Sequence, residues 1–244
     1  MGKRATEEVL SALALRPAGC LLDVPAGNSP VARGARALGW RVVGLDLFPP
    51  PGFAGVRGDA CRPFPFRDRS FDALLSIEGI EHFENQAAFL RECARVLKPG
   101  GLLVLTTPNV MHLSARMSAF LTGQRHLRRG FVNEDQTLRG RDGHRLYHGH
   151  AFLIDAFRLR YLMRIAGLRP ECLLRGPLSP GSLALAPLAP VVWGATRLAC
   201  AGGRRARNGQ RAMRAEVERE IRFLADSPRL LFSRKLILTA LRDA

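Results

Sequence analysis

The chain has 244 residues, 47% of them hydrophobic, with 37 basic against 21 acidic side chains and a net charge of +16. That is enough apolar material for one large domain, or for a domain with an elaborated insert. Its five cysteines, Cys20, Cys61, Cys93, Cys172 and Cys200, stand far apart with no C-x-x-C pair. This spacing argues against zinc ribbons, iron–sulfur clusters and a disulfide framework, and it suits a reducing cytoplasm.

The charge is uneven. Residues 1–110 carry 13 basic and 11 acidic groups, whereas residues 111–244 carry 24 basic and 10 acidic. A GC-rich coding sequence explains why 34 of the basic residues are Arg and only 3 are Lys. It does not explain why the excess sits in one half, which points to an anionic partner: nucleic acid, an acidic lipid surface or a phosphorylated substrate.

In chain order, residues 1–17 read as an amphipathic helix with no apolar signal core, so a cytoplasmic protein is expected. "MGKRAT" fits a myristoylation pattern only as chance matches do. Short Val-, Leu- and Ile-rich runs at 20–24, 41–47, 71–77 and 101–106 read as buried parallel strands. Helical segments at about 30–38 and 86–97 lie between them, so the first half is βαβ alternation. Ser29 as N-cap and Pro30 at the first helical position start the first of these helices. "LKPGG" at 97–101 ends the second and turns into the next strand.

After residue 110, "MHLSARMSAFLTG" reads as a helix and the polar, His-rich stretch 123–150 as a long loop. Residues 152–166 form an amphipathic helix ended by Gly167; "LRPECLLRG" and 235–242 are the last two strands, an antiparallel hairpin. Between those strands lies an insert, 178–230, expected to be helical, with Met213, Val217, Ile221 and Leu224 on one helix face.

The chemistry is expected at "LLDVPAGNSP", residues 21–30. A strand ending in Asp23 runs through one glycine, Gly27, into a helix N-terminus, the usual ligand crevice of an open α/β sheet. Asp46 ends the next strand, where a carboxylate can accept both hydroxyls of a ribose. Pro25 and Ser29 stand where a dinucleotide loop has glycines, so the loop suits a ribose-bearing ligand without a diphosphate.

The ordered blocks "LLDVPAGNS", "VVGLDLF", "GDACRPFPFRDRSFDALLSIEGIEHFEN" and "AAFLRECARVLKPGGLLVLTTPN" resemble the class I S-adenosylmethionine-dependent methyltransferases, in particular the ubiquinone-type and bacterial glycan or lipid enzymes. The resemblance implies an α/β fold of class I type: a seven-stranded, mostly parallel Rossmann-like sheet with helices on both faces, here with a C-terminal helical insert and a single domain over 1–244. It implies S-adenosylmethionine as cofactor. Asp23 and Gly27, with the Ala26 backbone, would line its methionine end; Asp46 would hold the ribose; Asp59 with the Ala60 backbone would hold the adenine edge. Glu78 and Gly79 would face the cofactor and the substrate entrance.

Methyl transfer needs donor and nucleophile aligned and a proton removed, for which His82, His148 and His150 are the candidates. His144, His148 and His150 have no Cys or dense acidic cluster near them in sequence, so no metal is expected. The resemblance favours transfer, at oxygen, to a small-molecule, lipid or glycan acceptor. The alternatives are an RNA methyltransferase, which the strand ending "LLSIEGIEHF" disfavours, and a non-catalytic binding module keeping the fold. The stretch 182–200 carries one charge over 19 residues, and the arginines at 204–214 follow it. Segment 178–214 is therefore a candidate for peripheral contact with the inner face of a membrane, or else a hydrophobic cover or dimer face.

Overall fold

Hydrophobic runs of four to eight residues can be buried on both faces only in the middle of a sheet covered twice, and this is how they are used. The computed structural model describes residues 2–49, 54–123, 137–139, 145–201 and 211–244. Helix α1 is Lys3–Ala14, followed by β1 (Cys20–Asp23), α2 (Pro30–Ala37), β2 (Arg41–Asp46), β3 (Gly55–Arg57) and β4 (Phe71–Ile77). A 3₁₀ turn, Ile80–His82, leads to α3 (Gln86–Val96), β5 (Leu97–Pro108) and α4 (Leu113–Thr122). Then come β6 (Thr137–Arg139), β7 (Arg145–His148), α5 (Ala156–Ile165) and β8 (Leu168–Leu173). Four helices follow, α6 (Pro180–Ala184), α7 (Ala189–Ala201), α8 (Arg211–Ala225) and α9 (Pro228–Phe232), before β9 (Lys235–Arg242).

The main sheet has seven strands in the order β3-β2-β1-β4-β5-β9-β8. The first five are parallel, and β9 is antiparallel to both β5 and β8. The expected seven-stranded, mostly parallel sheet is therefore present. Two apolar layers cover it. On one face α1 buries Ala5, Val9 and Leu13, spaced four apart, in a cluster with Val31 and Ala35 of α2 and Leu21 and Leu75 of the sheet. On the other, Phe89, Leu90 and Cys93 of α3 and Leu159 and Met163 of α5 pack on Leu22, Leu74 and Leu103.

Several elements differ from the sequence reading for local reasons. Strand β3 is three exposed residues with no apolar run to announce it. "LKPGG" is part of β5 as a bulge, since the β4 register jumps from Phe71↔Leu97 to Ala73↔Leu102 and Gly100 takes a positive φ of 71°. Helix α5 starts at Ala156, not 152, because the Asp155 side chain accepts from the N–H groups of Phe157 and Arg158. The stretch 123–150, expected as loop, contains the hairpin β6–β7; residues 124–136 and 140–144, including His144, lie outside the described residues.

The helices between β8 and β9 are tied to the body by polar contacts from α4 and α5. Ser182 Oγ donates to Nδ1 of His112 (2.9 Å) and accepts from Ser114 N (3.1 Å), which joins α6 to α4. Arg160 and Arg164 of α5 pair with Glu220 of α8 at 2.7 and 3.2 Å, and Arg164 also pairs with Glu216. On α8 Leu224 is buried and Val217 and Ile221 half-buried, while the Met213 side chain lies outside the described residues. Helix α7 turns Val191 and Leu198 to solvent, and Arg204, Arg205 and Arg207 lie outside the described residues. Among the described residues no helix is long and apolar enough to cross a membrane.

Asn109, which is 2% exposed, fastens the end of β5 to α9 and to the segment that enters β9. Its Nδ2 donates to the carbonyls of Leu230 (2.9 Å) and Ser233 (2.7 Å), its Oδ1 accepts from Met111 N, and its own N–H donates to Arg234 O. Asn109→Ala strands two buried carbonyls, each worth about 1–3 kcal/mol when unsatisfied. Urea denaturation is expected to show a loss on the order of 2–4 kcal/mol; a loss under about 0.5 kcal/mol, the usual effect of a surface change, would contradict this role.

Candidate functional site

The parallel strands β1, β2 and β4 all end at one edge, and the chain leaves each of them by a loop over the same space. There a cavity of about 830 Å³ opens, lined by Ala26, Gly27 and Ser29 after β1, Asp46 and Phe48 at the end of β2, Asp59 and Ala60 after β3, and Glu78 and His82 after β4. This volume lies within the range of cofactor and small-molecule sites.

The first loop is built around its substitutions. Val24 N–H donates to Leu75 O (2.9 Å) and Ala26 N–H to Leu45 O (3.1 Å), which fastens the turn to both neighbouring strands. Pro25 sits against Gly79, where an added Cβ would fall 2.3 Å from Pro25 Cδ, so glycine at 79 is what admits the proline. Gly27 has φ +47° and nothing within 4 Å of a built Cβ, which leaves its backbone open to an approaching ligand. Ser29 caps α2 by accepting from the N–H groups of Val31 and Ala32.

Asp46 holds the loop as well as facing the cavity. Its Oδ2 accepts from Gly27 N and its Oδ1 from Phe48 N, both at 2.7 Å. A carboxylate oxygen has two acceptor positions, so each retains one for a hydroxyl. Asp59 Oδ1 accepts from Cys61 N (2.8 Å), which shapes the turn that carries Ala60 to the cavity wall.

Glu78 follows β4 with φ +55°, a conformation that side chains other than glycine rarely adopt. Its N–H donates to Thr106 O (3.0 Å) and Thr106 Oγ1 (3.1 Å). Its carboxylate accepts from Thr106 Oγ1 (2.9 Å) and pairs with Lys235 Nζ. Burial pushes the Lys235 amine below its ordinary range. Neither Thr106 nor Lys235 was legible as a partner of Glu78, because the contact depends on β9 returning beside β5.

Asp23 and Gly79 are not among the residues lining the cavity. Asp23 is 1% exposed, and neither carboxylate oxygen has a hydrogen-bond partner. His82 is at the cavity, with Nδ1 3.1 Å from Gly149 O, and the ring of His150 lies 5.0 Å from that of His82. His148 ends β7, and its side chain lies outside the described residues.

Burial raises the Asp23 carboxyl well above its usual value, opposed by Arg36 and reinforced by Asp46. The folded state therefore holds this proton after the unfolded chain has released it. Its stability is full below the ordinary carboxyl range and falls as pH rises toward the raised value. Asp23→Asn is expected to raise the melting temperature of the ligand-free protein at pH 8, with a gain that shrinks toward pH 4. A gain that does not vary with pH would contradict the buried, proton-bearing carboxyl.

Residues 22–105, the segment that builds this cavity, match the family described as "Methyltransferase domain". A demethylmenaquinone methyltransferase of Tropheryma whipplei is 35% identical over 97 residues, 35% of this chain and 40% of that protein. A ubiquinone biosynthesis O-methyltransferase of Bradyrhizobium is 35% identical over 101 residues, 36% of this chain and 40% of that protein. The chain thus spans about two fifths of the length of these relatives. The 1,6-didemethyltoxoflavin-N1-methyltransferase of Burkholderia thailandensis, solved with S-adenosylhomocysteine bound, shares the fold at a TM-score of 0.52 and 17% identity, covering 99% of this chain and 78% of that one. In its strand order and in this matched segment, the chain is thus similar to the class I S-adenosylmethionine-dependent methyltransferases.

Proposed function

We propose that the protein transfers the methyl group of S-adenosylmethionine to a hydroxyl oxygen of a small-molecule acceptor of quinone type. The observation that carries this reading is the cavity itself. Carboxylates at Asp46 and Asp59, an unobstructed backbone at Gly27 and the Glu78 wall are gathered at the ends of three parallel strands. The residues present fit the cofactor. Asp46 keeps an acceptor position on each oxygen for the two ribose hydroxyls, and the Gly27 backbone admits the methionine end. Asp59 and the Ala60 backbone border the adenine end. The quinone class is supported by the two relatives named for menaquinone and ubiquinone methylation, and oxygen by the second of them.

Bound S-adenosylmethionine supplies an electrophilic methyl group on a sulfonium. The chain's part is to position the donor, hold the acceptor in line with it and deal with the acceptor's proton. Glu78 and His82 wall the cavity beyond the first loop, and we assign the acceptor to this end. The Glu78–Lys235 pair gives that end a fixed polar surface. His82 Nδ1 donates to Gly149 O, which puts the lone pair of a neutral ring on Nε2, the nitrogen that can accept or direct a proton.

Two variants separate donor binding from transfer. Asp46→Ala is expected to weaken S-adenosylmethionine binding by about 1.5–3 kcal/mol, the range for a hydrogen bond to a charged group; calorimetry showing unchanged affinity would remove Asp46 from the site. His82→Gln is expected to keep that affinity and lower turnover by roughly 10²-fold or more. The measurement is labelled-methyl transfer to hydroxylated quinones, with lipid, glycan and RNA acceptors in parallel. Transfer to RNA alone, or to none of them, would overturn the acceptor class.

A further inference from the structure

A second group of side chains adjoins the cavity through His82: Glu81, His82 and His150, each offering a ligand atom within 4.8 Å of the others. Glu81 is fully buried and the two histidines half-buried. Glu81 and His82 lie on the 3₁₀ turn after β4, whereas His150 arrives just after β7. That later segment is fastened down. Phe152 N–H donates to Glu81 O (3.1 Å), and Gln86 Nε2 donates to both Phe152 O (2.6 Å) and Ile80 O (3.0 Å).

The orienting contacts are of the kind that metal ligands have. His82 Nδ1 is directed at Gly149 O, which fixes the tautomer that coordinates through Nε2. Thr107 Oγ1 donates to Glu81 Oε2 (3.0 Å), which holds the carboxylate plane. The two rings meet edge to face at 62°, so they can present nitrogens toward a common point without stacking. Two imidazoles and one carboxylate are a ligand set for zinc, manganese, iron(II) or cobalt, and three protein ligands leave positions open for an exogenous oxygen.

We propose that Glu81, His82 and His150 hold a divalent transition-metal cation at the acceptor end of the cavity. Binding of the cation stands independently; its use in catalysis rests on the methyl-transfer reading above. In that use His82 Nε2 holds the cation instead of taking the proton, and a hydroxyl oxygen at an open position releases its proton to water and attacks the methyl carbon. The new oxygen–carbon bond forms as the carbon–sulfur bond breaks, and that electron pair returns to sulfur. Sequence spacing directed attention to His144, His148 and His150 because the pairing of His150 with residues 81 and 82 exists only after folding.

The test uses the full chain, freed of metal by a chelator and titrated with Co²⁺, with zinc uptake measured in parallel by elemental analysis. Expected is about one equivalent bound, with visible d–d absorption of a nitrogen- and oxygen-ligated cobalt. His150→Gln and Glu81→Gln should each weaken cobalt binding by at least about ten-fold, while S-adenosylmethionine affinity is retained as evidence of folding. Should Glu81→Gln fail to fold, the half-buried His150→Gln carries the comparison. Substoichiometric uptake, or equal uptake by wild type and His150→Gln, would overturn the site. Metal binding without methyl transfer would instead retain the site and remove the functional reading.

Discussion

The architecture turns on what happens at the end of β4. Glu78 is held in a left-handed conformation that costs on the order of 1–3 kcal/mol. Two strands supply the compensation: Thr106 of β5 accepts from its backbone and donates to its carboxylate, and Lys235 at the start of β9 pairs with it. β5 is the seam where the parallel sheet becomes antiparallel, so this contact joins the two halves at the cavity edge. The sharp turn that results drops the chain into the Ile80–His82 turn, which brings His82 to the cavity and sets Glu81 behind it.

The same turn explains the unusual first loop. Gly79 leaves room for Pro25, and the space cannot hold both a proline at 25 and a side chain at 79. A loop with one glycine then keeps its ligand-facing backbone because Asp46 anchors Gly27 from the neighbouring strand. The single glycine of this loop and the Asp46 carboxylate that anchors it are thus parts of one arrangement, which leaves the Gly27 backbone open at the cavity.

Much of this was legible before folding. Periodicity alone marked β1, β2, β4 and the core of β5, because buried parallel strands are continuous apolar runs. Ser29-Pro30 marked the start of α2 because capping is local chemistry. The carboxylate at 46 was legible because it ends a strand-like segment, and the one at 59 only through the resemblance of the ordered blocks. What stayed hidden depends on long-range contact. The bulge at "LKPGG" is set by pairing with β4, and β3 exists only by pairing with β2. Lys235 reaches Glu78 only through the antiparallel return, and His150 meets His82 only through the docking of residues 149–152 on the 3₁₀ turn. The burial of Asp23, a residue the motif led one to place against the cofactor, likewise follows from three-dimensional packing.

The central claim is that this cavity takes a sulfonium nucleoside and not a dinucleotide. Isothermal titration of the purified chain with S-adenosylmethionine and, separately, with NADH tests it most directly. The account predicts saturable binding of S-adenosylmethionine near one equivalent and no measurable heat with NADH. Tight binding of NADH with none of S-adenosylmethionine would contradict it.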